Sequence, residues 1–426
     1  MRRLNRTLLN FLAYQSGALV LVFTSLLIWP LLAKGMDLAS FGKLVLAISI
    51  SSLIAPVLSG GLGISLSYYG GRKNLATNPG LFRVSSLWIL ALFLAAVFYF
   101  LFSFSRPASE LFAWVAIIAS SGSALLIASG SLRALGKPMA YFFVTLISSL
   151  TGLCFVLLAP QLIGKSNSIF FGFVAAAGIG VASTFAFRAL PKPGLLPSKQ
   201  HLFEVLRLSM VLGVHQLMAV ALLLGVRVIV GVVLGETSLA AFLFCALLVG
   251  SGLTLGSTLD GYWSIEAQKA ENQTKLLNLL RHMQVRIQWS LFSFSVIACG
   301  FWVALGDLWL PIGVDSEQIA LAIALGIPAW GLQAFADSKS ASLIWQTRRF
   351  LVSVSTGISV VIAFGICIWL LPVFGISAAT MSLSFGMLAR LLALHLLDSK
   401  NPIRQLKSSY VAFLLTFLPA SIFLFV

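Results

Sequence analysis

Apolar runs of about twenty residues, the length that crosses the hydrocarbon core of a bilayer, recur along the whole chain between short polar breaks. They predict membrane-spanning helices near 10–33, 44–68, 84–104, 111–130, 141–163 and 168–187, then, after a polar stretch, near 209–234, 239–259, 288–310, 318–337, 351–372 and 376–397. A last run, Tyr410 to Val426, is short and holds Pro419. It is a candidate thirteenth span or a segment lying partly in the interface. The first run is long enough to span and is followed by more spans, so it reads as a first helix and not as a cleaved leader.

Two of the polar connections are long. The segment 188–207 (RALPKPGLLPSKQHLFEVLR) is proline-rich and reads as a linker. In 265–288, Leu276, Leu279, Leu280, Met283 and Ile287 fall on one helical face, which predicts an amphipathic helix on the inner membrane surface.

Composition agrees with this pattern. Only 9% of the 426 residues are charged and 59% are hydrophobic, against about 25% charged in soluble domains. The net charge of +16 would suggest nucleic acid in a soluble chain. Here the basic residues sit in short loops between spans and report topology. With the N-terminus inside, 22 of the 28 lysines and arginines fall in inner segments and only Lys34, Lys43, Arg106 and Lys165 in outer ones. That asymmetry predicts an N-inside orientation. The four cysteines stand singly in apolar segments, without metal-ligand spacing.

The chain repeats itself. LLAKGMDLASFGKLVLA (31–47) resembles VVLGETSLAAFLFCALL (232–248): a turn glycine, then Leu-Ala and an aromatic residue opening the next helix. ALGKPMAYFF (134–143) matches QTRRFLVSVS (346–355) in place, at an offset that also sets Ala-Pro 159–160 on Leu-Pro 371–372. Six spans per repeat is an even number, so the halves should be parallel. The expected architecture is an all-α polytopic membrane protein. Two six-helix lobes, 1–187 and 209–397, are related by a pseudo-two-fold axis along the membrane normal. A cytoplasmic linker spans 188–208, and a tail from 398 carries the candidate thirteenth helix.

No HExxH, GxSxG, P-loop or CxxC motif occurs, and the histidines are isolated. The sequence therefore predicts no enzyme. What remains is charge inside spans. An arginine at the centre of a membrane helix costs roughly 2.5 to 3.5 kcal/mol on insertion scales, yet Arg227 lies within LLLGVRVIVGVVLG. Gln216 lies 11 residues earlier, within about 20° on a 3.6-residue wheel. Gly213, Val220 and Gly231 flank the stripe. This face suits a hydrophilic lumen. Snorkelling to outer headgroups, or pairing with a buried carboxylate, is the other reading. Arg390 and Lys43 are further lumen candidates. His215 and Asp337 are candidates for cation coupling, against ordinary roles as a core histidine and a cap. Pro56 with Gly60 and Gly61, and Pro328, interrupt the second and tenth spans and are candidate hinges.

Several stretches resemble a known family. VRVIVGVVLGETSLAAF is similar to the seventh-span signature of polysaccharide exporters, and WPLLAKGMDLASFGKLVLA to the corresponding first-to-second-span signature. LPVFGISAATMSLSFGMLAR (371–390) resembles the family's Pro-x-x-Gly-x-x-Ala-Ala opening of the twelfth span, and LRALGKP (132–138) its loop after the fourth. The resemblance is to the Wzx-type lipid-linked oligosaccharide flippases of the multidrug/oligosaccharidyl-lipid/polysaccharide (MOP) exporter superfamily. One departure matters: the aspartate usual before the arginine is Val226 here.

The resemblance implies a two-lobed alternating-access transporter of a bacterial inner membrane that flips undecaprenyl-pyrophosphate-linked oligosaccharide from the inner to the outer leaflet. It would work without a cofactor beyond proton or sodium coupling and without a metal, among membrane lipids and in company with a polysaccharide polymerase. A MATE-like, cation-coupled small-molecule antiporter is the alternative.

Overall fold

The computed structural model describes residues 2–63, 65–66, 79–105, 110–158, 165–187, 199–268, 272–311, 313–346 and 348–397. Tyr410 to Val426 and residues 188–198 lie outside that set. Thirteen helices occur among the described residues: α1 (Arg2–Ala33), α2 (Leu38–Leu58), α3 (Pro79–Ser105), α4 (Glu110–Ala134), α5 (Pro138–Leu158), α6 (Lys165–Ala186), α7 (Lys199–Leu234), α8 (Glu236–Gln268), α9 (Gln273–Trp309), α10 (Ser316–Gly326), α11 (Pro328–Trp345), α12 (Arg349–Phe374) and α13 (Ile376–Leu397). Each of the twelve expected spans overlaps a helix among the described residues, with α10 and α11 sharing the tenth, and parts of the second and fifth lie outside the described set. Eleven segments among the described residues are long and apolar enough to cross a membrane. The chain is a multi-pass membrane protein. In lipid, a helix satisfies its own backbone, so apolar runs of this length have no other stable form.

Two expectations need correction. The proline-rich connection is helix from Lys199 onward, as the first turns of the 36-residue α7. Among the described residues 273–288 is not a separate helix but the beginning of the 37-residue α9, and α8 runs on to Gln268. At 1.5 Å per residue these helices are about 50 Å long, well beyond a hydrocarbon core of about 30 Å. Leu276, Leu280 and Ile287 are buried, so much of the face that reads as membrane-seeking is taken up by protein.

The helices group into two compact units: residues 1–28, 47–217 and 264–269, and residues 29–46, 218–263 and 270–426. In the first, α3–α6 pack with the second half of α2. Its core is built from Leu62, Phe82, Ile89, Ala124, Ile127 and Val181. Small residues let the backbones close in: a Cβ on Gly130 would overlap the backbone of Gly63. Serines bond across helices, Ser123 Oγ to the Ala55 carbonyl and Ser148 Oγ to that of Ala176, at 2.8 and 2.7 Å. α2 stops at Leu58, and Gly60 and Gly61 take positive φ of 56° and 69°, a backbone that side chains disfavour. Trp88 Nε1 donates to the Leu58 carbonyl left at this break.

In the second unit α8 is the most enclosed helix, buried almost without interruption from Leu239 to Ser251. α10 and α11 are separated at Ile327–Pro328. Proline supplies no N–H to continue the ladder. Ser384 Oγ donates to the Leu325 carbonyl at 2.7 Å. Beyond the break, the Trp330 indole lies in the space left by Gly252 and donates to the Val249 carbonyl at 2.7 Å.

Candidate functional site

Arg227 sits on the stripe of α7 that meets α8. Its Nη2 lies 3.5 Å from the Ala246 carbonyl, a long hydrogen bond, while its Nε is buried with no hydrogen-bond partner. Leu223, one turn earlier, meets α8 at Gly250, and Gly231, one turn later, meets Leu239. On another face of the same helix, Gly225 and Leu222 pack against Phe364 and Gly386 of α12 and α13. Val226 is fully buried, so the position where a neighbouring carboxylate would stand is apolar core. The guanidinium lies beside the Ala246 carbonyl and Gly250.

Gln216 stands three turns back on the same continuous α7, about 16 Å along the axis from Arg227, and its Oε1 is likewise buried without a partner. His215 precedes it and is partly buried. Gln216 belongs to the first unit and Arg227 to the second.

Lys43 lies at the first turn-to-helix junction, and its Nζ is 3.7 Å from a Glu236 carboxylate oxygen. Both groups are open to solvent, and such a pair contributes at most about 1 kcal/mol. Beside it, α2 presses on the start of α8: a Cβ on Gly42 would overlap the Glu236 carbonyl. Phe41 stacks on Phe244 with ring centroids 6.2 Å apart. Trp29 and Trp309 extend this aromatic packing on either side. These contacts join the two turns that the sequence shows as repeats, and all of them lie within the second unit.

Asp337 and Arg390, assigned to different roles in the sequence, meet each other. Arg390 Nη1 is 2.7 Å from Asp337 Oδ1 and Nη2 donates to Ser340 Oγ at 3.2 Å, with the side chains 4% and 11% exposed. Arg390 Nε and, one turn before Asp337, Gln333 Oε1 have no partner. Gln333, Asp337 and Ser340 form one polar face of α11 at 4- and 3-residue spacing. That spacing could have been read in QAFADSKS. Glu236 and Gly42 were also missed, although the repeat pointed at both turns. No cluster of three or more His, Cys, Asp or Glu able to hold a metal occurs among the described residues.

Long helices in two units, two of them interrupted, with isolated charges against backbone, fit a known architecture. The fold is MATE-like. The chain is similar to a multidrug resistance MATE family transporter of the MOP superfamily in an outward-facing conformation (TM-score 0.64, 15% identity, 97% of this chain and 94% of that one). It is similar also to a MATE protein in complex with MaL6 (0.66, 15%, 98% and 96%). A third solved structure is a MOP superfamily transporter from Pyrococcus furiosus whose binding pocket is described as of reverse polarity, suggesting a different function (0.62, 14%, 97% and 95%). No protein-family model and no curated protein matches the sequence.

Proposed function

We propose that the chain is a secondary transporter of the MOP type, working by alternating access, and that its cargo is anionic. The observation that carries the charge of the cargo is Arg227, with a buried Nε that has no partner and an apolar residue at 226. A guanidinium binds phosphate or carboxylate in a bidentate manner, so a pyrophosphate-linked oligosaccharide would supply the counter-charge. In this reading Arg227 receives the head group while the lipid tail stays in the bilayer. Together with the sequence resemblance, this makes a lipid-linked oligosaccharide the cargo we favour on charge.

The similar solved structures favour the second reading, a cation-coupled small-molecule antiporter, since one of them is a multidrug transporter. Asp337 would be its coupling carboxylate, although here it is already neutralised by Arg390.

The purified protein in liposomes separates the two. Under the first reading, a fluorescently tagged undecaprenyl-pyrophosphate oligosaccharide equilibrates across the bilayer, Arg227→Ala falls to the protein-free rate, and Arg227→Lys retains part. Proton-driven uptake of an organic cation, without lipid flipping, would establish the second reading and reject the first.

A further inference from the structure

The turn LRALGKP (132–138) has no part in the site at Arg227, yet it fixes a cation in a definite setting. α4 ends in a closed turn. The Lys137 N–H donates to the Leu132 carbonyl at 3.1 Å and the Gly136 N–H to that of Arg133 at 3.0 Å, with Gly136 at a φ of 60°. These are the bonds of a glycine-terminated helix. α5 then starts at Pro138, and the Arg133 guanidinium carbon comes within 5.4 Å of the Tyr141 ring centroid, close enough for a cation–π contact. Tyr141 is itself buried and held in place. The Tyr14 ring lies 5.2 Å from it, and a Cβ on Gly17 would come within 3.0 Å of its edge. All four residues belong to the first unit.

The charge is otherwise unanswered. Among the described residues Arg133 has no carboxylate partner and no side-chain hydrogen bond, and its Nε is buried. Lys137, one turn on, donates from Nζ to the Phe187 carbonyl at 3.0 Å and adds a second positive charge. A ring takes one face of a guanidinium and leaves its N–H edge for an oxyanion. Position narrows the choice of oxyanion. Arg133 is the last residue but one of the apolar segment Phe112–Ala134, the depth at which a span meets lipid headgroups. On the N-inside orientation predicted by the basic residues, that is the cytoplasmic leaflet, where anionic lipids attract basic pockets. Closing such a turn does not require the pair. At the offset that sets Lys137 on Arg349, Arg133 falls on Trp345 and Tyr141 on Ser353. There the Arg348 N–H closes on the Leu343 carbonyl at 2.8 Å, with serine in the tyrosine's place.

We propose that Arg133, held on Tyr141, binds the phosphate of an anionic phospholipid in the cytoplasmic leaflet. The ring presents the guanidinium edge to the headgroup, and Lys137 strengthens the local positive field. An arginine that only sets topology is the competing explanation, and it would show no preference among lipids.

The test titrates the delipidated full-length protein in mild detergent with phosphatidylglycerol or with phosphatidylcholine, and reads bound lipid by native mass spectrometry. The parent should bind phosphatidylglycerol about tenfold more tightly than phosphatidylcholine, the scale of one charge-assisted hydrogen bond. Arg133→Gln should abolish that preference. Tyr141→Phe should keep it, and Tyr141→Leu should weaken it about threefold through loss of the ring. Arg348→Gln, which removes a charge from the matching turn, should leave it unchanged. Without lipid, Arg133→Gln should unfold at the parent's temperature; a clear drop would mark the guanidinium as structural and overturn the proposal. So would equal binding of the two lipids, a preference that survives Arg133→Gln, or an equal loss in Arg348→Gln. Inorganic phosphate alone should not raise the unfolding temperature. Stabilisation by phosphate with no response to phosphatidylglycerol would make this a site for a dissolved anion and reject the lipid. The titration uses no cargo, so its outcome is independent of the transport reading.

Discussion

Arg390 and Asp337 are bound to each other inside the second unit, Nη1 to Oδ1 at 2.7 Å, with Ser340 taking a further guanidinium bond. A charge withdrawn from water is costly, and two neutralise one another only while both are present. Asp337→Ala and Arg390→Ala should therefore each destabilise the protein by about 3 kcal/mol or more. The double replacement Asp337→Leu with Arg390→Met should recover most of that loss. Thermal unfolding of the four purified forms closes the cycle; additive losses would show that the pair is not coupled.

Arg227 should behave in the opposite way. It has one long hydrogen bond and a buried Nε without partner, so the fold gains little from it. Arg227→Met should raise the unfolding temperature while lowering transport, because a group kept for a ligand is commonly a burden on the empty protein. A fall in unfolding temperature would mean that the guanidinium is structural.

The Trp330 indole occupies the space over Gly252, so Gly252→Ala has to displace a ring that is also held by Val249. The expected result is a loss of about 1–3 kcal/mol from overpacking and a changed tryptophan emission. Gly300→Ala, where a Cβ meets nothing within 4 Å, should leave both unchanged or raise stability slightly through better helix propensity.

Asp37 caps α2 by accepting from the Ser40 backbone N–H at 2.9 Å. That bond first, and the Ser40 side chain next, hold its pKa below the ordinary 3.8. A depressed carboxylate stabilises the fold above its unfolded pKa, and the contribution is lost as pH falls through the folded value. The gap in unfolding temperature between the protein and Asp37→Ala should therefore be constant above about pH 5 and close below pH 3. A gap that persists at pH 2.5 would exclude the charged cap as its source.

The apolar periodicity placed the spans well because a segment of Leu, Val, Ile and Phe some twenty residues long can satisfy its backbone in lipid only as helix. The amphipathic face of 273–288 misled for a related reason. Leu276, Leu280 and Ile287 need a dry surface, and a helical wheel does not distinguish a membrane interface from a neighbouring helix. The linker ended early because residues 199–208 contain no proline and continue into the seventh span as one helix.

Taken alone, the sequence determined that the chain is a bundle of membrane helices and that Arg227 is a charge with no carboxylate beside it in the chain. These follow from hydropathy and spacing, which are local. Tertiary structure decided the partners. Asp337 found Arg390, 53 positions away; Lys43 found Glu236, with Gly42 pressed on its backbone; and Arg227 found, among the described residues, the Ala246 carbonyl. A buried charge takes whichever group the packing of helices brings within about 4 Å, and that packing is set by small residues such as Gly42, Gly250 and Gly252, whose importance lies in what stands opposite them.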